Sequence, residues 1–476
     1  MKNFIFIALS SVFLIISGCG SPETLIVESG SLTPDDAAYS ESNLSGQDNG
    51  FQFLHLGEAA PIYSLDPLFA SNNSELRILD LIYENLVTYG PEGNIIPELA
   101  RRWEMTNDSL RYTFTIRPDV FFHNTDAFVS GIGRKLVAND VRRVFERMAR
   151  SNVPDHAANM FSGIRGFETY KAELHQVQDP SRRVINNIDG IRVLNDSTVQ
   201  VYLNEPDADF LTNLAHPLAA VYPIESTLAS SGPVSTYATG TGRFYLVQKG
   251  EDRYILGANQ DYYRTRPVIS RLDITHGLSE KDLFDRFRND ELDALIEASP
   301  AILKTIADSN ASLKPEYSEQ FVLSNTGIET EYALYLNPKS PSADAVYNFS
   351  KSLTGESLRM SEPYLGAINV YPPDSTSNIS ETRQLVVANT SNPFESFLIN
   401  AVAGMATEQT MSFSMKASAA LTGNTTFTTR YSPELSKVFS WKIPVFILTK
   451  PNIEGLSISH NPWSLNTGRI IPEESL

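Results

Sequence analysis

The stretch "IYENLVTYGPEGNIIPELARRWEMTNDSLRYTFTIRPDVFFH", residues 82–123, contains the clearest periodic pattern of the sequence. Within it, residues 110–117 read "LRYTFTIR", where apolar side chains alternate with Arg and Thr. This period of two predicts a half-buried β-strand with Tyr112 and Phe114 on its inner face. The same alternation recurs in "TVQVYLN" (198–204) and "GRFYLVQ" (242–248), so we predict strands there too.

Helical patterns lie between these strands. The stretches 74–86 and 138–150 have apolar residues at i, i+3, i+4 and i+7, which is the spacing of one helix face. These residues are Leu79, Ile82, Tyr83 and Leu86 in the first stretch, and Val141, Val144, Phe145 and Met148 in the second. Ser74 and Asn139 are the predicted N-caps. Alternating strands and helices predict a mixed α/β (α+β) fold.

The N-terminus has the features of an export signal. Lys2 provides a positive charge, and residues 4–16 form an apolar run that is too short to span a membrane comfortably. The run ends in "ISGC" (16–19), which resembles a bacterial lipobox. We therefore predict a lipoprotein signal peptide over 1–18 and lipidation of Cys19. The alternative is an ordinary secretory signal with a chance cysteine.

Residues 19–49 follow this signal with an acidic composition. Between residues 20 and 48 there are six acidic residues and no Lys or Arg. Such a segment buries too little apolar surface to offset its ordering entropy, which predicts a flexible tether. The alternative, a structured N-terminal arm, depends on Leu25, Ile26 and Val27.

Composition excludes several classes of function. Cys19 is the single cysteine, so neither an intramolecular disulfide nor a CxxC metal site can form. The net charge of −18 argues against nucleic acid as a partner. The sequence lacks HExxH, GxSxG and GxxxxGK[ST] motifs, and its seven histidines are scattered. We expect no catalysis and no cofactor, although a pair of catalytic carboxylates leaves no signature that could exclude it.

The order of the motifs resembles the family 5 solute-binding proteins of ABC importers, the oligopeptide- and dipeptide-binding group. Residues 82–123 match a "YE-L" helix end, a "G-hydrophobic-P-LA-W" segment and a "D-aromatic-T-F-R" strand, and the Asp-Val helix "VANDVRRVFERM" follows. Four further segments follow the family in the same order: 190–223, 240–247, 259–274 and 283–294.

The resemblance implies a two-lobed clamp that closes around a ligand, of the class with an extra inserted domain. By motif order, domain I takes 50–85, 215–330 and 443–476, and domain II takes 86–214. Residues 331–442 then form an abbreviated ligand-binding lobe.

The resemblance also nominates residues of the ligand cleft. In the family, an acid that pairs with the free α-amino group of a bound peptide occupies the position that falls here on Asn389. A neutral amide cannot neutralise an ammonium, so this anchor is in question. The other candidates are Gly240 and Thr241 beside the cleft, Tyr332 and Tyr335 on a crossover strand, and Phe446 on the returning strand. For Tyr332, Tyr335 and Phe446, simple core packing is the alternative.

The function implied is a monomeric, membrane-anchored lipoprotein facing the periplasm or cell exterior. It would bind a peptide or similar small solute and deliver it to an ABC permease and ATPase complex. The main alternative is a divergent family member that acts as a sensor or structural surface lipoprotein, and an extracellular hydrolase ranks third. Gly20 after the cysteine favours outer-membrane delivery if the cell has two membranes.

Overall fold

The computed structural model describes residues 24–28, 52–228, 237–340, 343–353, 358–359, 363–371, 384–388, 390–408, 412–416, 427–428 and 435–470. The predicted mixture of helices and strands is confirmed. The strands are β1 Thr24–Glu28, β2 Phe53–Glu58, β3 Val87–Tyr89, β4 Ile95–Pro97, β5 Ala100–Thr106, β6 Arg111–Ile116, β7 Ile191–Asn195, β8 Thr198–Tyr202, β9 Phe244–Lys249, β10 Arg253–Ala258, β11 Arg271–Thr275, β12 Ala294–Ile296, β13 Val322–Leu336, β14 Leu358–Arg359, β15 Ala367–Val370, β16 Gln384–Ala388, β17 Ser412–Lys416, β18 Phe427–Thr428, β19 Ser436–Thr449, β20 Ile453–Ile458 and β21 Leu465–Ile470.

None of the helices in the described ranges is both long and apolar enough to cross a membrane. They are α1 Asn73–Ile82, α2 Ala138–Met148, α3 Asp155–Asn159, α4 Phe167–Gln176, α5 Phe210–Leu214, α6 Glu225–Leu228, α7 Glu280–Arg288, α8 Pro300–Ile306, α9 Ala343–Leu353 and α10 Pro393–Glu408.

Both predicted helix caps are wrong. Helix α1 is capped by Asn72, whose side chain accepts a hydrogen bond from the Glu75 amide at 3.0 Å. Ser74 lies inside the helix and donates instead to Glu58 at 2.7 Å. Helix α2 starts after Val137, whose amide donates to the Asp140 carboxylate at 3.1 Å. An acid at the third helical position therefore replaces the cap that Asn139 was predicted to supply.

One sheet contains two of the three strands predicted from period two, β6 and β8, whereas the third, β9, lies at the edge of a larger sheet. Within the described residues the order of the sheet with β6 and β8 is β1-β5-β6-β8-β7, and every pair is antiparallel. The inner residues of β6, Tyr112, Phe114 and Ile116, are buried as predicted. Helix α2 packs against β7 and β8 of this sheet. Its apolar face is buried, as its spacing predicted.

The prediction of a tether over the whole of 19–49 needs correction at Thr24–Glu28. These residues form β1, which pairs with β5 from Thr24 opposite Thr106 to Glu28 opposite Arg102. The reason is that β5 would otherwise be an edge strand with free backbone donors and acceptors, and an extended segment can satisfy them. The alternative of a structured arm around Leu25, Ile26 and Val27 is therefore correct for this segment.

A second, larger sheet runs through the rest of the molecule. Its order among the described strands is β17-β16-β18-β13-β19-β12-β2-β11-β10-β9, with β15 also pairing β19. The long strands β13 and β19 pair over most of their length and join the two ends of this sheet. Their register shifts between Asn325 and Glu329, where Gly327 adopts φ +74°. The ribbon β13–β19 thus connects β2 and β9–β12 to the strands β14–β18.

The buried apolar residues form two clusters. The first includes residues of β2, α1, α2 and the five-stranded sheet. The second includes α7, α8, α9, α10 and residues of the β13–β19 ribbon such as Trp441. The first cluster joins segments assigned to domains I and II, and the second joins α7 and α8 of domain I to the abbreviated lobe. The domain boundaries therefore stay a prediction.

Candidate functional site

A cavity of about 290 Å³ lies where loops of the large sheet meet the segment before α10. The loop after β2 supplies Pro61, Ile62 and Tyr63, and Ser391 lies on the opposite side, two residues before α10. The remaining lining residues are Glu251, His276, Gly277 and Leu278. The cavity therefore combines apolar surface with a hydroxyl pair, an imidazole and one carboxylate.

His276 lines this cavity and has a buried ring nitrogen without a partner among the described residues. Its side chain is 2% exposed, and its Nδ1 accepts a hydrogen bond from the Ile62 amide at 3.2 Å. Because Nδ1 accepts, the proton of the neutral ring sits on Nε2. Nε2 has no hydrogen-bond partner among the described residues. Burial lowers the pKa of His276 to about 4, so the ring is a neutral donor at physiological pH.

Tyr63 and Ser391 bridge the cavity mouth. The two hydroxyl groups are hydrogen-bonded to each other, although the residues are far apart in the chain. The loop that carries Tyr63 is held by Glu75 of α1, which accepts from the amides of Tyr63 at 2.8 Å and Ser64 at 3.0 Å. Tyr63 is 63% exposed, so its ring remains available to a solute.

The cavity wall carries negative charge. Glu251, in the turn between β9 and β10, is the charged residue among those lining the cavity in the described ranges. The nearby Lys249 does not line it and extends over the Tyr254 ring, 5.8 Å from the ring centroid. A carboxylate without a lining Lys or Arg favours a cationic group in the cavity over an anionic one.

Tyr332, a predicted cleft residue, belongs to a buried polar network. Its hydroxyl donates to Glu297 at 2.9 Å, and its ring stacks on Phe394 with centroids 5.1 Å apart. Glu297 in turn binds Arg77 of α1 at 2.9 Å, and Arg77 binds Glu58 of β2 at 2.6 Å. Tyr332 does not line the 290 Å³ cavity.

Tyr335 and Phe446 also lie on the β13–β19 ribbon and do not line this cavity. Tyr335 is half-buried opposite Lys437 of β19. Phe446 is 2% exposed and lies edge-on to Tyr364, with ring centroids 6.5 Å apart. A ligand contact for Tyr332, Tyr335 or Phe446 stays a prediction.

Gly240 and Thr241 lie at the C-terminal end of α1, away from the cavity. A Cβ at Gly240 would meet the Ile82 carbonyl oxygen at 2.0 Å, so only glycine permits this approach. Thr241 is 1% exposed and donates to Glu84 at 2.8 Å. Their role in ligand binding stays a prediction, since packing accounts for both residues.

Two predicted positions, Cys19 and Asn389, lie outside the described residues. Ser391, two positions after Asn389, lines the cavity. Sequence reasoning did not single out His276 or Glu251. The signal for His276 was its place directly after the buried strand β11, where side chains at a strand end reach a loop-built site.

A second opening of about 450 Å³ lies along the shifted part of the β13–β19 ribbon. Asn325, Glu329 and His460 line it, together with Asn461, whose Nδ2 atom has no partner among the described residues. It contains no residue from the loop after β2 or from the segment before α10. The smaller cavity is therefore the better candidate for a site between lobes.

Comparison with known proteins identifies the family of this chain. A family model, Bacterial extracellular solute-binding proteins, family 5 Middle, matches residues 94–346. The chain is 32% identical to Di/tripeptide-binding protein 4 of Pseudomonas aeruginosa over 200 residues, 40% of this chain and 35% of that protein. It is 26% identical over 291 residues to the probable ABC transporter periplasmic-binding protein SapA of Escherichia coli, covering 59% and 50% of the two chains. The chain thus spans half or less of these relatives' lengths.

The fold has close counterparts among solved structures. The murein tripeptide binding protein MppA of Escherichia coli superposes with a TM-score of 0.66 at 16% identity, over 89% of this chain and 99% of that one. At this identity the likeness concerns the fold, which is the predicted two-lobed one. Since the family model also covers more than half of the sequence, the chain belongs to the bacterial extracellular solute-binding proteins of family 5.

Proposed function

We propose that this solute-binding protein binds peptides with a free amino group in the 290 Å³ cavity and delivers them to an ABC importer. The observation that carries the proposal is that Glu251 and His276 both line the cavity, and that Nε2 of His276 is a buried donor without a partner among the described residues. A buried donor left so is costly. A ligand carbonyl would satisfy it.

The cavity offers each group that a short peptide needs. His276 Nε2–H donates to a peptide carbonyl, and the hydroxyls of Tyr63 and Ser391 accept or donate beside it. Glu251 neutralises the α-ammonium, which Asn389 cannot do. Charge-assisted hydrogen bonds of this kind are about twice as strong as neutral ones. Backbone recognition leaves the peptide side chains free to vary.

The relatives support this choice of solute and partner. Di/tripeptide-binding protein 4 is named for the peptides it binds, and SapA is named as part of an ABC transporter. By analogy, the partners of this chain are a permease and an ATPase, and it works as a monomer in the periplasm or at the cell exterior.

Membrane attachment is part of the same proposal. Cys19 is the last residue of the lipobox-like stretch 16–19 and would carry the lipid. Intact-mass measurement of protein from a bacterial membrane fraction should show a mature chain that starts at Cys19 with added acyl mass. The Cys19→Ser variant should leave the membrane fraction, and an unmodified wild-type mass contradicts lipidation.

Thermal-shift measurement of the protein without residues 1–18 tests the solute. Di- and tripeptides, their N-acetylated forms, free amino acids and oligosaccharides serve as probes. A ligand at a hundred times its Kd adds about 2.7 kcal/mol to the free energy of unfolding. We expect shifts with free-amine peptides and smaller ones with N-acetylated peptides. The absence of a shift with every class contradicts solute binding and favours the alternative of a structural lipoprotein.

A further inference from the structure

The pairing of β1 with β5 fixes where the N-terminus joins the folded body. Thr24 lies opposite Thr106, and the register continues without a shift to Glu28 opposite Arg102. The first strand therefore belongs to the five-stranded sheet β1-β5-β6-β8-β7. The cavity residues, by contrast, come from loops of the larger sheet and from the segment before α10.

Residues 20–23 alone separate Cys19 from β1. A fully extended chain spans at most about 3.6 Å per residue, so the five steps from Cys19 to Thr24 cover at most about 18 Å. We propose that the end of the five-stranded sheet at which Thr24 lies faces the membrane surface. This inference rests on the proposed lipidation of Cys19.

The register also indicates which end of the sheet faces the lipid. The chain leaves β1 at Thr24, beside the end of β5 at Thr106, where the turn to β6 begins. Strand β8 ends at the same side, since Tyr202 lies opposite Arg111, the first residue of β6. The β5–β6 turn and the loop after β8 are thus the parts nearest to the membrane.

Electrostatic attraction between the protein and the lipid headgroups does not produce this orientation. The loop after β8 exposes Glu205 and Asp209, and the β5–β6 turn exposes Asp108. Anionic lipid headgroups repel these carboxylates. The lipid and the short connection therefore hold this end of the sheet at the surface, and uncharged phosphatidylcholine vesicles are a suitable membrane for a test.

Disulfide trapping tests the strand pairing. In a chain without residues 1–18 and with Cys19→Ser, the pair Ile26→Cys and Glu104→Cys places two thiols at directly opposed positions. Mild oxidation should join them, because opposed residues lie within disulfide reach. The matched control pairs Ile26→Cys with Arg102→Cys, two positions out of register. Equal cross-linking of both pairs, or of neither, overturns the inference.

Fluorescence quenching tests the orientation. Since a lipidated Cys19 has no free thiol, a single engineered cysteine accepts a maleimide dye in the full, lipidated chain. We compare Glu205→Cys, in the loop after β8, with Lys281→Cys on α7, whose side chain is 81% exposed. Phosphatidylcholine vesicles carry a nitroxide on a fraction of their headgroups.

The dye at position 205 should be quenched at least twofold more than the dye at position 281. Equal or reversed quenching in a lipidated sample overturns the orientation and leaves peptide binding untouched. Intact mass of the same sample reports lipidation separately, and a sample without lipid mass overturns lipidation and orientation together.

Discussion

In the proposed function, His276 and Glu251 divide the recognition of a peptide between a neutral donor and a charge. Burial lowers the pKa of His276 to about 4, so this ring does not compete with a ligand ammonium for Glu251. Tyr254 packs against the ring at 4.7 Å between centroids, and the Ile62 amide fixes its tautomer. The donor is thus held in place before a solute arrives, which reduces the entropic cost of binding.

Substitution of Glu251 should affect free-amine peptides selectively. Glu251→Gln keeps the size of the side chain but removes the charge, so we expect Kd for free-amine dipeptides to rise about tenfold, the equivalent of about 1.4 kcal/mol. Isothermal titration calorimetry gives the Kd. N-acetylated dipeptides should bind both proteins equally, and Asp261→Asn, at an exposed position that does not line the cavity, should change neither. A similar loss for acetylated and free peptides contradicts the proposed role of Glu251.

Gly240 should tolerate no side chain, for a packing reason alone. A Cβ there would lie 2.0 Å from the Ile82 carbonyl oxygen, and a backbone atom cannot move aside cheaply. We expect Gly240→Ala to lower the free energy of unfolding by about 1–3 kcal/mol in urea denaturation. Gly163→Ala is the control, since a Cβ at that position would have no neighbour within 4 Å among the described residues. Equal stability of the two variants contradicts the assigned role of Gly240.

At the scale of single elements, the sequence predicted the helices and strands that have a repeating apolar pattern. Strand β6 and helix α2 have several apolar residues at one period, so each position supports the others. The caps Asn72 and Val137 were missed because a cap is one local contact with several polar candidates nearby. Strand β1 was missed because its partner β5 lies about 80 residues along the chain, and local composition contains no information about a distant edge.

Helix α1 is joined to β2 and to the residue after β12 by a buried ionic network, which sequence periodicity could not reveal. Arg77 donates to Glu58 and Glu297, and the three side chains are 1%, 3% and 4% exposed. The Arg77 guanidinium also donates to the Pro462 carbonyl at 2.8 Å. The network places Tyr332 by its bond to Glu297 and so connects α1 to the ribbon β13–β19.

Removal of Arg77 should therefore destabilise the protein strongly. Arg77→Met leaves two carboxylates buried without their cation, for which about 3–5 kcal/mol is the usual cost. Urea unfolding followed by circular dichroism measures the change. Arg192→Met, whose guanidinium is 51% exposed beside Asp189, should change the free energy of unfolding by less than about 1 kcal/mol. A loss below about 1 kcal/mol for Arg77→Met would show that the network is not a stabilising link.

At the scale of the whole molecule, the junction around the C-terminal end of α1 concentrates buried acids. Glu84 accepts from the hydroxyls of Tyr262 at 2.7 Å and Tyr263 at 2.9 Å, and from Thr241. Burial raises the pKa of Glu84, and it raises that of Asp80 to about 6. These residues lie in segments assigned to domain I, and Arg264 links them to Glu98 of the segment assigned to domain II, with 3.8 Å between guanidinium and carboxylate.

Glu98 should make this stability depend on pH between about 5 and 8. Burial, reinforced by the charge of Glu84, raises the pKa of Glu98 to about 8. In this window the folded protein retains a proton that the unfolded chain has released, so the free energy of unfolding falls as pH rises, by at most about 1.4 kcal/mol per unit. Glu98→Gln keeps an acceptor for the Asn85 amide, now 2.9 Å from the carboxylate, and removes the proton. Urea denaturation at pH 5, 6, 7 and 8 measures the free energy of unfolding. The value for Glu98→Gln, relative to wild type, should rise at each step, whereas the exposed Glu92→Gln should follow the wild type. A constant difference between Glu98→Gln and wild type across the series contradicts the raised pKa.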